Sequence, residues 1–399
     1  MVALGHPGLV SKLVARMEQE GPITFADFME AALYDADFGY YMTPGPRIGP
    51  GGDYYTSPDV HPIFAELIGK QIAQAAEVIA GPGEPLTILE MGAGKGLLAG
   101  HLLNAYRRDN SAFLSRIRYT IVERSPAMTA AQQLRLRSLL QDGVSITWYP
   151  DLARIPAGSL TGVILSNELV DAFPVHRVVK RPLGLREIYV GWATPTPPAP
   201  NGRFIEIEAP PFAPALQRYF DRIGISLEDG QRAEVNLQAM DWMRRVGTIL
   251  RCGLVLTIDY GHTATDLYAA TRKTGTLLCY HRQTVSDTPY LRVGQQDLTA
   301  HVNFTGLALA GQEVGLEVTG FTNQLHFLMG LGIESAFADS DAGSPEFIAM
   351  RKLLQPEGMG TTYKVMVQHK GMPAPRLSGL RSRPFFTDAL SVLSPMVAP

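Results

Sequence analysis

The sequence predicts an α/β protein built on a doubly wound, mostly parallel sheet, with a helical N-terminal region and insertions at the edge of the sheet. Three observations carry that expectation. From about residue 85, short apolar runs alternate with segments of helical periodicity. The first run leads straight into a glycine-rich turn, LEMGAGKGLLAG at 89–100, and the second ends near an acidic residue, Glu123. Strands joined through helices lie parallel, and the joining helices cover both faces of the sheet.

The opening segment, MVALGHPGLVSKLVARMEQEGPITF, reads as a short amphipathic helix. In ITFADFMEAALYDADFGYY and SPDVHPIFAELIGKQIAQAAEVIA the apolar residues recur at three and four. Helices therefore flank a loop rich in Gly and Pro, MTPGPRIGPGGDYYTS. A loop of that length is either a binding lid or a surface excursion, and Tyr40, Tyr41, Tyr54 and Tyr55 favour the ordered lid. Residues 1–80 form this helical region.

Residues 81–370 carry the sheet. LTILEMG, IRYTIVERS, VSITWYPDL, TGVILSNEL, GLVLTIDYG and TTYKVMVQH read as strands, and LLAGHLLNAYRRD and PAMTAAQQLRLRSLLQ as helices. Two insertions interrupt the series, at about 175–235 and 275–305. The first alternates apolar and polar residues between Val175 and Ala209 and has a proline-rich tip, which suggests a small antiparallel unit. The second, LLCYHRQTVSDTPYLRVGQQDLTAHVNF, is polar and aromatic. Both leave from the carboxyl edge of the sheet, where open α/β sheets bind ligands, and are expected to shape a substrate cleft. Residues 371–399 read as an appended C-terminal arm.

Composition narrows the function. Apolar residues at 46% and charged residues at 18% suit a globular protein, and a formal net charge of −3 gives no bulk attraction to nucleic acid or anionic membrane. Cys252 and Cys279 cannot build a disulfide scaffold or a zinc site by themselves, and they suit a reducing compartment. No run reaches the roughly 18 to 20 apolar residues of a membrane span. The start lacks the layout of a secretory signal, and Glu18 and Glu20 argue against a transit peptide, so a cytoplasmic location is expected.

The glycine turn selects among nucleotide ligands. A phosphate loop needs glycine at position 89 and Ser or Thr after Lys95; here they are Leu89 and Gly96. A dinucleotide loop spaces its glycines as G-x-G-x-x-G, and this turn does not. The run Glu90, Gly92, Ala93, Gly94, Gly96 matches the E/D-x-G-x-G-x-G loop that receives S-adenosylmethionine. Glycines admit the ligand close to the backbone, and an acidic residue suits an ammonium and a sulfonium where no phosphate is present. A tight turn without a ligand is the plainer alternative. Glu123 is placed to accept ribose hydroxyls, and Asp151 with Leu152 follows the third strand, where the adenine amino group is met. Lys95 is expected to face solvent.

At SNELVDAFPVH, residues 166–176, the chain resembles the MidA-like methyltransferase family. FMEAALYDADFGYY, GDYYTSPDVHPIFAELIGK, LEMGAGKGLLAGHLL, LTIDYGH and GQQDLTAHVNF resemble its segments in the same order, over roughly residues 20–370. The resemblance implies a Rossmann-like class I methyltransferase sheet and S-adenosyl-L-methionine as cofactor. It also implies transfer to arginine ω-nitrogens of a client protein, and its mitochondrial members assist assembly of respiratory complex I. Within the motif it implies that Asn167, Glu168 and Asp171 are catalytic, with Ser166 and Asn167 at the cofactor. Carboxylates beside the methyl group suit a guanidinium, whose planar fork of donors they grip and which stays cationic below a pKa of about 12.

Tyr54, Thr56, Ser57 and His61 from the lid, with Asp259, Tyr260, His262, His301 and Asn303 from the far strand and second insertion, are expected to face the substrate. A metal site combining His262, His301, Asp259 and His61 is disfavoured because no tight ligand spacing occurs and methyl transfer needs no metal. Two other functions compete: an assembly chaperone that binds the cofactor but works by holding its client, and a small-molecule methyltransferase.

Overall fold

Apolar side chains at both odd and even positions of LTILEM leave that strand no polar face, so it must be covered on both sides. Leu86, Ile88 and Leu89 are accordingly all fully buried. The computed structural model describes residues 4–45, 47–49, 51–194 and 202–381. The proline-rich tip and most of the C-terminal arm lie outside the described residues.

Along the chain the strands are β1 (Ile23–Thr24), β2 (Leu86–Met91), β3 (Ile117–Val122), β4 (Ser145–Tyr149) and β5 (Leu160–Asn167). The first insertion contributes β6 (His176–Arg181), β7 (Gly184–Ala193), β8 (Arg203–Ala209) and β9 (Arg232–Val235). There follow β10 (Leu250–His262), β11 (Leu278–His281), β12 (Thr284–Ser286), β13 (Asp297–Thr299), β14 (Val302–Asn303), β15 (Glu317–Asn323) and β16 (Tyr363–Lys370).

The large sheet runs β15-β16-β10-β5-β2-β3-β4. Its strands from β4 to β10 are mutually parallel, whereas β16 is antiparallel to β10 and β15 antiparallel to β16. The order reverses at β2, which pairs with β3 on one side and β5 on the other. Ligands of open α/β sheets bind at such a reversal, outside the carboxyl ends of the strands. The glycine turn leaves from that end of β2.

The first insertion forms an antiparallel sheet, as its alternation predicts, but β1 joins it through Ile23 opposite Val190. The second forms the three-stranded sheet β12-β11-β13. Leu9, Leu13, Phe25 and Phe28 from the N-terminal helices pack in one apolar cluster with Val190 and Phe204 of the first insertion and Cys279 and Leu298 of the second. Each large side chain buried there contributes about 1.5–3 kcal/mol. Segments far apart in sequence therefore share one core. The helix Ile63–Ile79 instead packs with Leu97–Asp109 under the large sheet. The start of the expected arm is also part of that core: Leu377 and Leu380 are buried, and the backbone amides of Ser378 and Gly379 donate to Gln74 and Gln71.

Candidate active site

The glycine turn is dictated by backbone conformation. Gly92, Gly94 and Gly96 adopt φ of 72°, 50° and 74°, in the left-handed region that costs an L-residue roughly 1–2 kcal/mol. A Cβ at Gly92 would stand 2.7 Å from Leu169 Cδ1, and one at Gly94 3.3 Å from Ile48 Cδ1. The bare backbone thus lies directly beneath the tyrosine-containing loop. Lys95 does not face solvent freely, contrary to expectation. It lies 3.3 Å from Asp59 and donates to the Ile48 carbonyl, tying the turn to that loop.

A cavity of about 770 Å³ opens over this turn, within the usual size of a small-ligand site. Its walls include Glu90, Gly92, Ala93, Gly94, Glu123, Asp151, Leu152, Asn167, Glu168, Tyr54 and Thr56, all singled out from sequence. The tyrosine-containing loop is held in place as an ordered element: Tyr40 donates to Asp53 at 2.6 Å and Tyr41 to Asp297 at 2.8 Å. Asp53 in turn accepts from the Arg282 amide at 2.6 Å, so loop and second insertion are joined.

The polar lining suits a cationic, hydroxyl-rich ligand. Glu90 is buried at the end of β2 and accepts from Tyr119 at 2.7 Å; burial pushes its carboxyl up to about 7 against that bond. A cation beside it restores the carboxylate. Glu123 accepts from the Ser125 amide at 2.9 Å and from Gln132 at 3.0 Å, and burial raises its pKa too. Asp151 accepts from the Ala153 amide at 2.6 Å and so aligns the turn that carries Leu152. Asn167 Oδ1 is buried without a protein partner, an acceptor left for a ligand. With Asp59, Asp241 and Glu168 the lining holds six carboxyl groups against Lys95, Arg124 and Arg245. The balance favours a cation.

Glu168 is the one described non-glycine residue of the site with a left-handed backbone, at φ 53°. Its amide donates to the Ile258 carbonyl, and the next two amides, of Leu169 and Val170, donate to Asp259 at 3.1 and 2.9 Å. That clamp offsets the backbone strain and directs the side chain into the cavity. The Glu168 carboxylate accepts from the Ser57 amide at 3.2 Å, Asn167 Nδ2 at 3.1 Å and the Tyr363 hydroxyl at 2.8 Å. Burial nevertheless pushes it up to about 8, with Asp171 adding repulsion. Asp171 lies behind the wall, buried, with Oδ1 lacking a protein partner, and both it and Asp259 are raised chiefly by burial.

Several expected site residues do not reach the cavity. Gly96 and Ser166 stand outside its lining: Gly96 caps the following helix, and Ser166 is buried within β5. Ser57 bonds Gln324 and lends Glu168 only its amide, while His61 Nδ1 accepts from the Ile63 amide. Asp259 is the buried clamp, Tyr260 packs against Tyr363, and Asn303 caps the helix Phe304–Gln312 and donates to Tyr219. His262 and His301 stack on each other instead. No described residue of 175–235 or 275–305 lines the cavity, so the insertions buttress the tyrosine loop from outside rather than shape the cleft.

Sequence reasoning missed the helix Leu237–Ile249, which lines the cavity with Gln238, Asp241, Trp242 and Arg245. Its apolar periodicity was a visible signal of a packed helix, but no local pattern says what it packs against. Tyr363 was legible only as part of a strand. Met91, whose sulfur accepts from Trp242 at 3.0 Å, likewise gave no local sign of lining a site.

A family model of S-adenosyl-L-methionine-dependent methyltransferases matches residues 67–322. The mouse protein named "Protein arginine methyltransferase NDUFAF7, mitochondrial" is 28% identical over 347 residues, covering 82% of this chain and 74% of its own. Its human counterpart is 28% identical over 404 residues, covering 94% and 85%. A Burkholderia thailandensis protein solved with S-adenosyl-homocysteine bound superposes with a TM-score of 0.82 at 28% identity, over 94% of both chains. These findings overturn the expected cytoplasmic location, because both relatives are mitochondrial by name. They agree with the glycine turn that the enzyme's cofactor is S-adenosylmethionine. The chain belongs to the MidA-like family of class I S-adenosyl-L-methionine-dependent methyltransferases.

Proposed function

We propose that the protein methylates an arginine ω-nitrogen of a client protein, and that the client is a subunit of respiratory complex I whose assembly it aids. The observation that carries the reading is Glu168, a carboxylate turned into a cofactor-sized cavity by a strained backbone that Asp259 clamps. The relatives' name, protein arginine methyltransferase, supports the same substrate class.

When bound, the cofactor would supply an electrophilic methyl group on a sulfonium sulfur, with a neutral thioether as the leaving group. Glu90 would face its cationic end, the backbone of Gly92 to Gly94 would receive it closely, Glu123 would take the ribose hydroxyls, and Asp151 with Leu152 would border the adenine. Asn167 would accept from the amino-acid end through its free oxygen. Glu168 grips the substrate guanidinium and orients one nitrogen toward the methyl group. On methylation that nitrogen would shed one proton. Glu168 is the acceptor, and its raised pKa suits it to hold that proton. Asp171 adds negative charge behind it. Tyr54 and Thr56 border the substrate side.

Purified protein incubated with methyl-labelled cofactor and isolated complex I subunits should place label on arginine. Label confined to lysine or to small molecules would refute the arginine reading. Loss of a methylarginine from one complex I subunit in a deletion strain would identify the client, and an unchanged set would remove the complex I claim.

A further inference from the structure

Where the carboxyl end of β10 meets the amino end of β16, outside the cavity, four basic side chains converge. His262 and His301 stack with ring centroids 5.1 Å apart, and Nε2 of the first lies 3.1 Å from Nδ1 of the second. Arg272 approaches the same His262 Nε2 at 3.5 Å. Lys364 completes the group, its ammonium donating to the carbonyls of Thr361 and Thr362. All four side chains are partly exposed and so open to solvent.

What the group lacks is a counter-charge. Among the described residues no carboxylate forms an ion pair with Arg272 or Lys364. Asp266 is the one described acid that acts on Lys364, and it does so from a distance, without an ion pair between them. Arg272 Nε is buried with no partner at all. A partly exposed guanidinium and a partly exposed ammonium, neither ion-paired and both acting on the same imidazoles, offer a two-point site for a planar anion.

The group also has a defined relation to Glu168. His301 packs edge-on to Tyr260 at 6.0 Å, Tyr260 packs on Tyr363 at 5.1 Å, and Tyr363 donates to Glu168 at 2.8 Å. Two aromatic rings therefore separate an acidic pocket from a basic one.

We propose that Arg272, Lys364 and the His262–His301 pair form an anion subsite that receives an acidic side chain of the client protein, close to its target arginine. The proposal rests on the protein-arginine reading. Charge complementarity argues for it: an acidic cavity takes the cation and a neighbouring basic group takes the anion, which sets the register of the chain. A carboxylate suits the guanidinium fork better than a bulkier dianion suits a site whose histidines are neutral. Burial, together with Lys364 and Arg272, pushes both imidazoles down to about 4.

Two measurements on the full-length protein test this. In the first, arginine peptides bearing one Asp or one Asn at each flanking position are methylated with labelled cofactor. At one position Asp should raise kcat/KM about tenfold over Asn, through KM, as one charge-assisted pair would. Arg272→Gln and Lys364→Gln should each shrink that ratio towards one. Equal rates for Asp and Asn at every position overturn the proposal, as does a ratio unmoved in both variants. In the second, the ring resonances of His262 and His301 are followed against pH with acetate or inorganic phosphate added. Acetate should raise both midpoints in the native protein and not in Arg272→Gln. No response to either anion refutes the subsite, and a response to phosphate alone refutes the carboxylate assignment. Acetate binding without any peptide methylation would sink the arginine reading while leaving the anion subsite standing.

Discussion

Replacing Glu168 by Gln removes one charge and almost no volume, so its effect reports on electrostatics. The Ser57 amide and Asn167 share Oε1, and the Tyr363 hydroxyl occupies Oε2. Those three bonds fill three of about four acceptor positions on a carboxylate, leaving one for a guanidinium N–H. Gln keeps the first two bonds, and Tyr363 can turn to accept from the new amide. The loss is then one charge-assisted hydrogen bond, about 1.5–3 kcal/mol. At about 1.4 kcal/mol per decade, kcat/KM should fall roughly 10- to 150-fold. Calorimetry should show S-adenosyl-homocysteine affinity unchanged within about twofold, since Gln preserves the local shape. The pH profile gives a second readout. A base held up to about 8 must lose its proton before it works, so kcat/KM of the native enzyme should rise with pH through that region. The Gln variant should lack that rise. Retention of kcat/KM within about threefold, or equal loss of cofactor affinity, would refute the role given to Glu168.

The same group makes stability depend on pH. A carboxyl whose folded pKa is raised binds its proton more tightly when folded, so stability falls as pH climbs from about 4.5 to about 8. Thermal melts of the ligand-free protein should show that decline, and Glu168→Gln should flatten part of it. Gly94→Val should weaken S-adenosyl-homocysteine binding at least about tenfold by calorimetry, because position 94 needs φ near 50° and its new side chain would press on Ile48. Asp259→Ala strips the acceptor from two amides and should cost about 3 kcal/mol in denaturant unfolding, with a fall in kcat as the Glu168 turn relaxes. Trp242→Ala should weaken cofactor binding by calorimetry while leaving the Glu168-dependent limb of the pH profile in place, since Trp242 meets Met91 at the cavity wall and not Glu168.

The parallel order of β4, β3, β2, β5 and β10 was legible because unbroken apolar runs and helical periodicity are local properties of a chain. The glycine turn was legible for a related reason. Glycines at 92, 94 and 96 answer a demand for positive φ that only the local backbone makes. Glu90 near the end of β2, and Glu123 and Asp151 just past the ends of β3 and β4, all line the cavity. The motif around Glu168 placed the acid, though not the reason it points inward.

That reason lies in pairings between distant segments. Asp259 looked like a substrate ligand because it ends a strand at the ligand-binding edge. Only the adjacency of β10 and β5 turns it towards the amides of Leu169 and Val170. The insertions looked like cleft walls because they leave from that edge, but their apolar faces are consumed by cores shared with the N-terminal helices and the large sheet. Periodicity states which face of an element seeks burial, and not which partner supplies it. By itself the sequence determined a doubly wound sheet and the glycine turn that lines the cavity. Tertiary structure alone decided that Tyr363 and Ser57 hold Glu168, that the helix Leu237–Ile249 closes the cavity, and that His262 meets His301, because each joins segments with no local bond between them.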